Sequence, residues 1–156
     1  MIIWLASYPK SGNTLLRSIL ATYFFSKEGE FKFDYLYKIE QFPSISNFEN
    51  IGVDVLNEKK VFNNFIQAQK FINKEKNKIK FIKTHASLSR INDSNFTDLE
   101  NTLGAIYIVR DPRNVIKSYA HHYDLSLDEA ADAMIDQTRW LVKTDKTFKT
   151  FLSSWS

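Results

Sequence analysis

Apolar and polar positions change their period along the chain, and the changes mark out elements. The first residues run IIWLA, break into the polar stretch SYPKSGN, and continue as LLRSILATYFF, where Leu15, Leu16, Ile19, Leu20, Tyr23 and Phe24 recur at helical spacing. The pattern predicts a strand, a turn and a helix. From Ser26 to about Gly52 the text is aromatic and irregular, and no regular element is assigned. Val61, Phe62, Phe65, Ile66 and Phe71 predict an amphipathic helix from about Glu58 to Asn73. The lysines that follow, Lys74, Lys76, Lys78 and Lys80, read as a solvated face.

Two more short, β-branched runs, Ile79 to Thr84 and Ala105 to Arg110, read as buried strands of a parallel sheet. Asp111 followed by Pro112 predicts a helix start, since aspartate caps free amides and proline tolerates the first helical position. That helix should reach about Tyr123. Ser126 with Glu129 three residues on is a capping box for another helix, and Trp140 to Trp155 reads as a further helical region. Strand, turn and helix in alternation predict an α/β fold with a central parallel sheet flanked by helices, in one domain spanning residues 1–156.

Composition narrows the class. The chain is 44% apolar and 15% aromatic with few glycines and prolines, which excludes collagen-like and disordered chains. A net charge of +3 is too small for nucleic-acid wrapping but suits a small polyanion, so no nucleic-acid partner is expected. The absence of cysteine removes disulfides, thiolate metal sites and cysteine nucleophiles, and fits a reducing compartment. No apolar run suffices for a signal peptide or a membrane span, so the expected location is cytoplasmic.

In parallel α/β sheets ligands bind beyond the carboxyl ends of the strands. Three polar strand ends should therefore converge: SYPKSGNT, KTHAS and RDPRNVIKS. The first sets Pro9, Lys10, Ser11 and Gly12 between a strand and a helix, so helix-start amides and one lysine face any bound anion. The alternative for this segment is an ordinary turn with an exposed lysine. It is not a Walker A sequence, because the lysine precedes the glycine by two, and no carboxylate stands nearby to hold Mg²⁺. An ATP-dependent kinase is disfavoured. No metal ligand set is recognised, and the adjacent His121 and His122 read as helix-surface or pocket-wall residues.

Three motifs in order resemble the sulfotransferases that use 3′-phosphoadenosine-5′-phosphosulfate (PAPS). Tyr8-Pro9-Lys10-Ser11-Gly12-Asn13-Thr14 is similar to their first signature, Lys83-Thr84-His85 to the second, and Arg110 with Ser118 to the third. The resemblance implies a three-layer P-loop-like fold and transfer of a sulfuryl group from PAPS to a hydroxyl or amine, releasing 3′,5′-ADP (PAP), with no metal. It implies that Lys10, Ser11, Gly12, Asn13 and Thr14 grip the 5′-phosphosulfate, and that Arg110 and Ser118 hold the 3′-phosphate. An alternative for Arg110 is an ion pair with Asp111 or another carboxylate. His85 is the expected general base, since an ordinary histidine pKa of about 6.5 suits proton removal at neutral pH. Lys83 either assists charge neutralisation or solvates the strand end; it shares a strand face with His85, and Thr84 takes the other.

The sequence departs from the family at Leu15, where many members carry a tryptophan that stacks on adenine. It also lacks a match to the family's later glycine- and lysine-containing segment. The resemblance therefore implies an N-terminal portion of the domain, with a truncated, non-catalytic nucleotide-binding module as the alternative reading. The acceptor is expected to be a small molecule, carbohydrate or lipid. Phe31, Phe33, Tyr35, Tyr37 and Phe42 either wall its pocket or pack in the core. A sheet short of later strands would leave an open edge, which a homodimer would cover.

Overall fold

The computed structural model describes residues 1–75 and 78–155, so Lys76 of the predicted lysine face lies outside the described residues. Strand β1 (Ile2–Ser7) leads into helix α1 (Asn13–Phe25), as the pattern predicts. The irregular aromatic stretch forms a short 3-10 helix, Phe33–Lys38, and helix α2 (Ile45–Glu49). The predicted helix from Glu58 is two helices, α3 (Glu58–Asn63) and α4 (Phe65–Ile72). They break at Asn64, whose side chain donates to the Lys60 carbonyl. The break keeps Phe62 and Phe65 in one core, with ring centroids 5.4 Å apart.

Strand β2 (Lys80–Thr84) follows, then a small hairpin of β3 (Arg90–Ile91) and β4 (Ser94–Asn95), then β5 (Thr102–Ile108). Helices α5 (Pro112–Tyr123) and α6 (Leu127–Ile135) come next, and hairpin strands β6 (Trp140–Leu141) and β7 (Thr150–Phe151) end the chain. The main sheet is parallel, in the order β2-β1-β5, so the fold is α/β with helices around a parallel sheet. Both predicted caps form: the Asp111 side chain accepts from the Arg113 amide with Pro112 in the first turn, and Ser126 and Glu129 make a reciprocal box. Among the described residues no helix is long and apolar enough to cross a membrane.

Strand parity divides the core. Ile2, Trp4 and Ile82 point to a face filled by Phe42, Phe48, Phe62, Phe65 and Phe96. Leu5 points the other way, where Phe81 and the Leu16, Leu20 and Ala21 side of α1 meet it. A third cluster joins Tyr8 to α5 and α6 through Val115, Tyr119, Ala130, Met134 and Leu152.

Two expectations are corrected. The region from Trp140 to Trp155 is a hairpin and not a helix. Thr144 interrupts it, its hydroxyl accepting from the amides of Lys146 and Thr147 to close a turn, while the Trp140 and Phe151 rings pair across the strands at 5.0 Å. The run from Ala105 to Arg110 reads as buried, yet β5 is an edge strand on which Leu103, Ile106 and Tyr107 are exposed, with Val109 exposed just beyond it. An apolar run has the same text whether one neighbour or two flank it, so the pattern cannot distinguish the positions.

Candidate functional site

The carboxyl ends of the three parallel strands meet at one cavity of about 380 Å³, lined by Lys10, Gly12, Thr14, Lys83, His85 and Arg110 with Ser118, His122 and Tyr123 behind them. The first wall is made locally. After Ser7 the chain turns through Tyr8, Pro9, Lys10 and Ser11, the Ser11 amide donating to the Tyr8 carbonyl at 3.3 Å. Lys10 sits at the third position of this turn with φ 67. Proline second and positive φ third is the type II pattern, whose third position favours glycine. A lysine held there is strained backbone that supports a charge at the cavity wall.

Gly12, with φ 104, is the N-cap of α1, and no side chain bonds to the cap. The helix-start amides therefore remain for a ligand, with the positive end of the helix behind them. Ser11 lies outside the cavity wall, buried, with its hydroxyl unpartnered among the described residues. Asn13 turns its side chain inward, donating to the Leu5 carbonyl at 2.8 Å and to Ser7 Oγ at 3.1 Å. Toward the cavity it offers backbone, while its carboxamide ties the end of β1 to the start of α1.

β2 supplies the second wall. Lys83 and His85 line the cavity at this strand end, and the Thr84 side chain turns away to accept from the Ala86 amide. Lys83 Nζ donates to Gln41 Oε1 at 2.9 Å, and burial, helped by the charge of Arg17, pushes its pKa down to about 8. His85 Nδ1 lies 2.7 Å from the Ser7 carbonyl, with Ser7 Oγ farther off at 3.3 Å. A carbonyl only accepts, so Nδ1 carries the proton and Nε2 holds the lone pair. Burial first, then the charge of Lys83, pushes the His85 pKa down to about 4, against the Ser7 bond. The imidazole is thus neutral at physiological pH, well below its ordinary range.

The third wall comes from the end of β5 and from α5. Arg110 donates to the Lys10 carbonyl at 3.1 Å, joining the third motif to the first. Asp111 binds Arg113 instead, at 2.6 Å, so Arg110 pairs with no carboxylate among the described residues. Ser118 and His122 are one helical turn apart on α5 and face the same cavity. Burial first, then the charges of Lys10 and His121, lower the pKa of His122. Among the described residues no aspartate or glutamate lines the cavity, and no group of three or more histidine, aspartate or glutamate side chains is placed to hold a metal.

The sequence reading brings out the cations but not their supports. Ser7, which fixes the His85 ring, and Gln41, which holds Lys83, carry no motif signal, because both contacts are tertiary. Tyr123 is likewise new, whereas of the two histidines read as helix-surface or pocket-wall residues, His122 lines the cavity and His121 does not. Of the aromatic stretch, Phe42 packs in the core, while Phe31, Phe33 and Tyr37 are exposed and Tyr35 leans on the α1 cluster. None of them lines the cavity.

A parallel α/β sheet with a glycine-capped helix start and clustered cations at its carboxyl edge defines an α/β protein of the P-loop-like type. The family model of the sulfotransferase domain matches residues 2–155, and the chain belongs to that family. No curated protein matches the chain.

Proposed function

We propose that this chain is one sulfotransferase-like domain that moves a sulfuryl group from PAPS to a hydroxyl or amine of an acceptor. One observation carries the reading: Lys10, Lys83, His85, Arg110 and Ser118, from three separated segments, line one cavity to which no carboxylate among the described residues contributes. A cavity with this charge would be unfavourable empty of anions and suits a ligand with a phosphosulfate at one end and a phosphate at the other.

Lys10 and the amides of Gly12, Asn13 and Thr14 are assigned to the 5′-phosphosulfate, with the Thr14 hydroxyl beside them. Arg110 and Ser118 are assigned to the 3′-phosphate; the fork of Arg110 is left available because Asp111 is engaged elsewhere. The acceptor oxygen attacks sulfur in line as the bond from sulfur to the bridging phosphate oxygen breaks. The acceptor's proton passes to His85 Nε2, and negative charge builds on the departing phosphate oxygen of PAP. Lys10 and Lys83 face that charge, so stabilisation is already in place when the bond breaks. The depressed pKa keeps His85 in the base form, and bound phosphates raise its basicity as the donor enters.

Calorimetric titration with PAP, without added metal, tests the donor site. Saturable binding is expected, weakened by roughly 10- to 100-fold in Arg110→Ala, the scale of one lost charge-assisted contact. A folded chain that does not bind PAP would overturn the reading. Binding without transfer to any acceptor would favour a non-catalytic nucleotide-binding module.

A further inference from the structure

Lys83, in the wall of the cationic cavity, is held from beyond the edge of the sheet by the segment Leu36 to Phe42. Gln41 lies beside it as a one-residue parallel extension of the sheet: the Lys83 amide donates to the Glu40 carbonyl and the Phe42 amide to the Lys83 carbonyl, each at 2.9 Å. Across this bridge Lys83 Nζ donates to Gln41 Oε1, also at 2.9 Å. An ammonium offers only donors, so the carboxamide oxygen is the atom that faces it. The same segment holds a second cation. Arg17, on α1, donates to the Leu36 carbonyl at 2.7 Å and to the Ile39 carbonyl at 2.8 Å, and its Nε is buried without a partner among the described residues.

Each of these acceptors is neutral. Among the described residues neither Lys83 nor Arg17 makes an ion pair, and Glu40, the carboxylate next to Gln41 in the chain, is exposed. Burial, and after it the charge of Arg17, disfavours the charged form of Lys83. The other cations around the cavity, Lys10 and Arg110, add positive charge and no counter-ion. A carboxylate of the same size at position 41 would relieve this, yet the chain carries the amide. Resting on the proposed function above, we infer that Gln41 is a positioning residue: its neutral amide fixes Lys83 Nζ in the cavity wall and leaves the charge to be balanced by the bound phosphosulfate. A glutamate would hold the ammonium as closely but complete its charge balance before the ligand arrives, so the ligand would gain less. A leucine would leave the charge and remove the hold. The neutral acceptor thus leaves the empty protein less stable than it could be, and that difference is recovered when the anion binds.

The test uses the full chain as wild type, Gln41→Glu and Gln41→Leu. Thermal melts of the empty chain, calorimetric titration with PAP, and the titration midpoint of Lys83 followed by NMR at its Cε are compared, the signal being assigned by its loss in Lys83→Arg. Gln41→Glu is expected to raise the melting temperature by about 2 °C or more, to raise the Lys83 midpoint, and yet to weaken PAP binding by roughly tenfold. Gln41→Leu is expected to lower both the melting temperature and the midpoint, because a buried ammonium loses its acceptor. A side chain that only packs would move the two variants in the same direction. Wild-type PAP affinity in Gln41→Glu, or a lower melting temperature beside its weaker binding, would overturn the inference, as would a Lys83 midpoint that neither variant moves; each leaves the donor reading standing. Failure of PAP to bind the folded wild-type chain would remove the donor reading instead, and this inference with it.

Discussion

Two cavities meet at His85, the cationic one and a second of about 390 Å³ lined by Trp4, Phe96, Tyr107 and Trp155, and they are held in shape by different forces. The cationic one is fixed by short-range hydrogen bonds: the turn from Tyr8 to Ser11, the inward carboxamide of Asn13, the Asp111 cap of α5 and the bond from Arg110 to the Lys10 carbonyl. The apolar one is fixed by packing, since Trp4 pairs with Phe96 at 5.0 Å between centroids and Leu152 sits in the cluster of Tyr8 and α5. Directional bonds place charges to within a fraction of an ångström, which the transfer proposed above needs. Packing tolerates exchange of similar volumes, which lets a binding wall change its selectivity without loss of the fold. The comparison teaches that substitutions on the cationic side should act on rate and donor affinity at little cost to packing, and those on the apolar side on packing with the cations left in place.

The largest expected break in that division is at the shared residue. His85→Ala should lower turnover by about a thousandfold, in the range found for loss of a general base, with PAP affinity changed by no more than about threefold. Single-turnover kinetics beside calorimetry separates the two effects, and unchanged turnover would remove His85 as the base. Next is Lys10, where backbone strain and charge can be pulled apart. Lys10→Gly relieves the positive φ, so unfolding stability should stay within about 1 kcal/mol of wild type or rise. Transfer should nevertheless fall by about a hundredfold or more, because a donor to the developing charge is lost. A large loss of stability in denaturant melts would show that the lysine side chain holds the turn itself.

These contrasts explain what the sequence carries. The cationic wall is written as contiguous text, because a turn, a helix start and a capped proline each depend on neighbours a few positions apart. SYPKSGNT, KTH and RDPRN are therefore readable one by one, and the α/β alternation says that they converge. The apolar cavity joins Trp4, Phe96, Tyr107 and Trp155, whose spacing along the chain reflects no local geometry. The aromatic residues from Phe31 to Tyr37 attract attention as a possible pocket wall and lie elsewhere, since Arg17 anchors that stretch through the carbonyls of Leu36 and Ile39 beside α1. Likewise, the edge position of β5 depends on which neighbour a strand lacks, and the residues of the strand do not encode that. The hairpin of β6 and β7 turned on the hydroxyl of Thr144, a signal present in the text but weaker than the apolar spacing around it.

The smallest expected effect separates the neutral His85 from the carboxylates on the surface. In the folded chain its pKa is about 4, against an ordinary 6.5. Between those values the unfolded chain binds more protons than the folded one, so stability is complete above the upper value, falls as pH drops through the window, and levels below the lower one. From about pH 7 to about pH 5.5 this amounts to a loss on the order of 1 kcal/mol. His122, whose pKa is also lowered, adds to the slope with the same sign. The carboxylates of Asp111, Glu129 and Asp136, held low by their own hydrogen bonds, lose their contribution only at lower pH, from the ordinary carboxylate range downward. Thermal melts at stepped pH should therefore show a slope in the wild type that His85→Gln flattens. Bound PAP should also reduce the slope, because its phosphates favour the imidazolium and bring the folded pKa back toward the ordinary value. A slope equal in wild type and His85→Gln would mean that the ring is not buried neutral, and would remove the electrostatic basis for its readiness as a base.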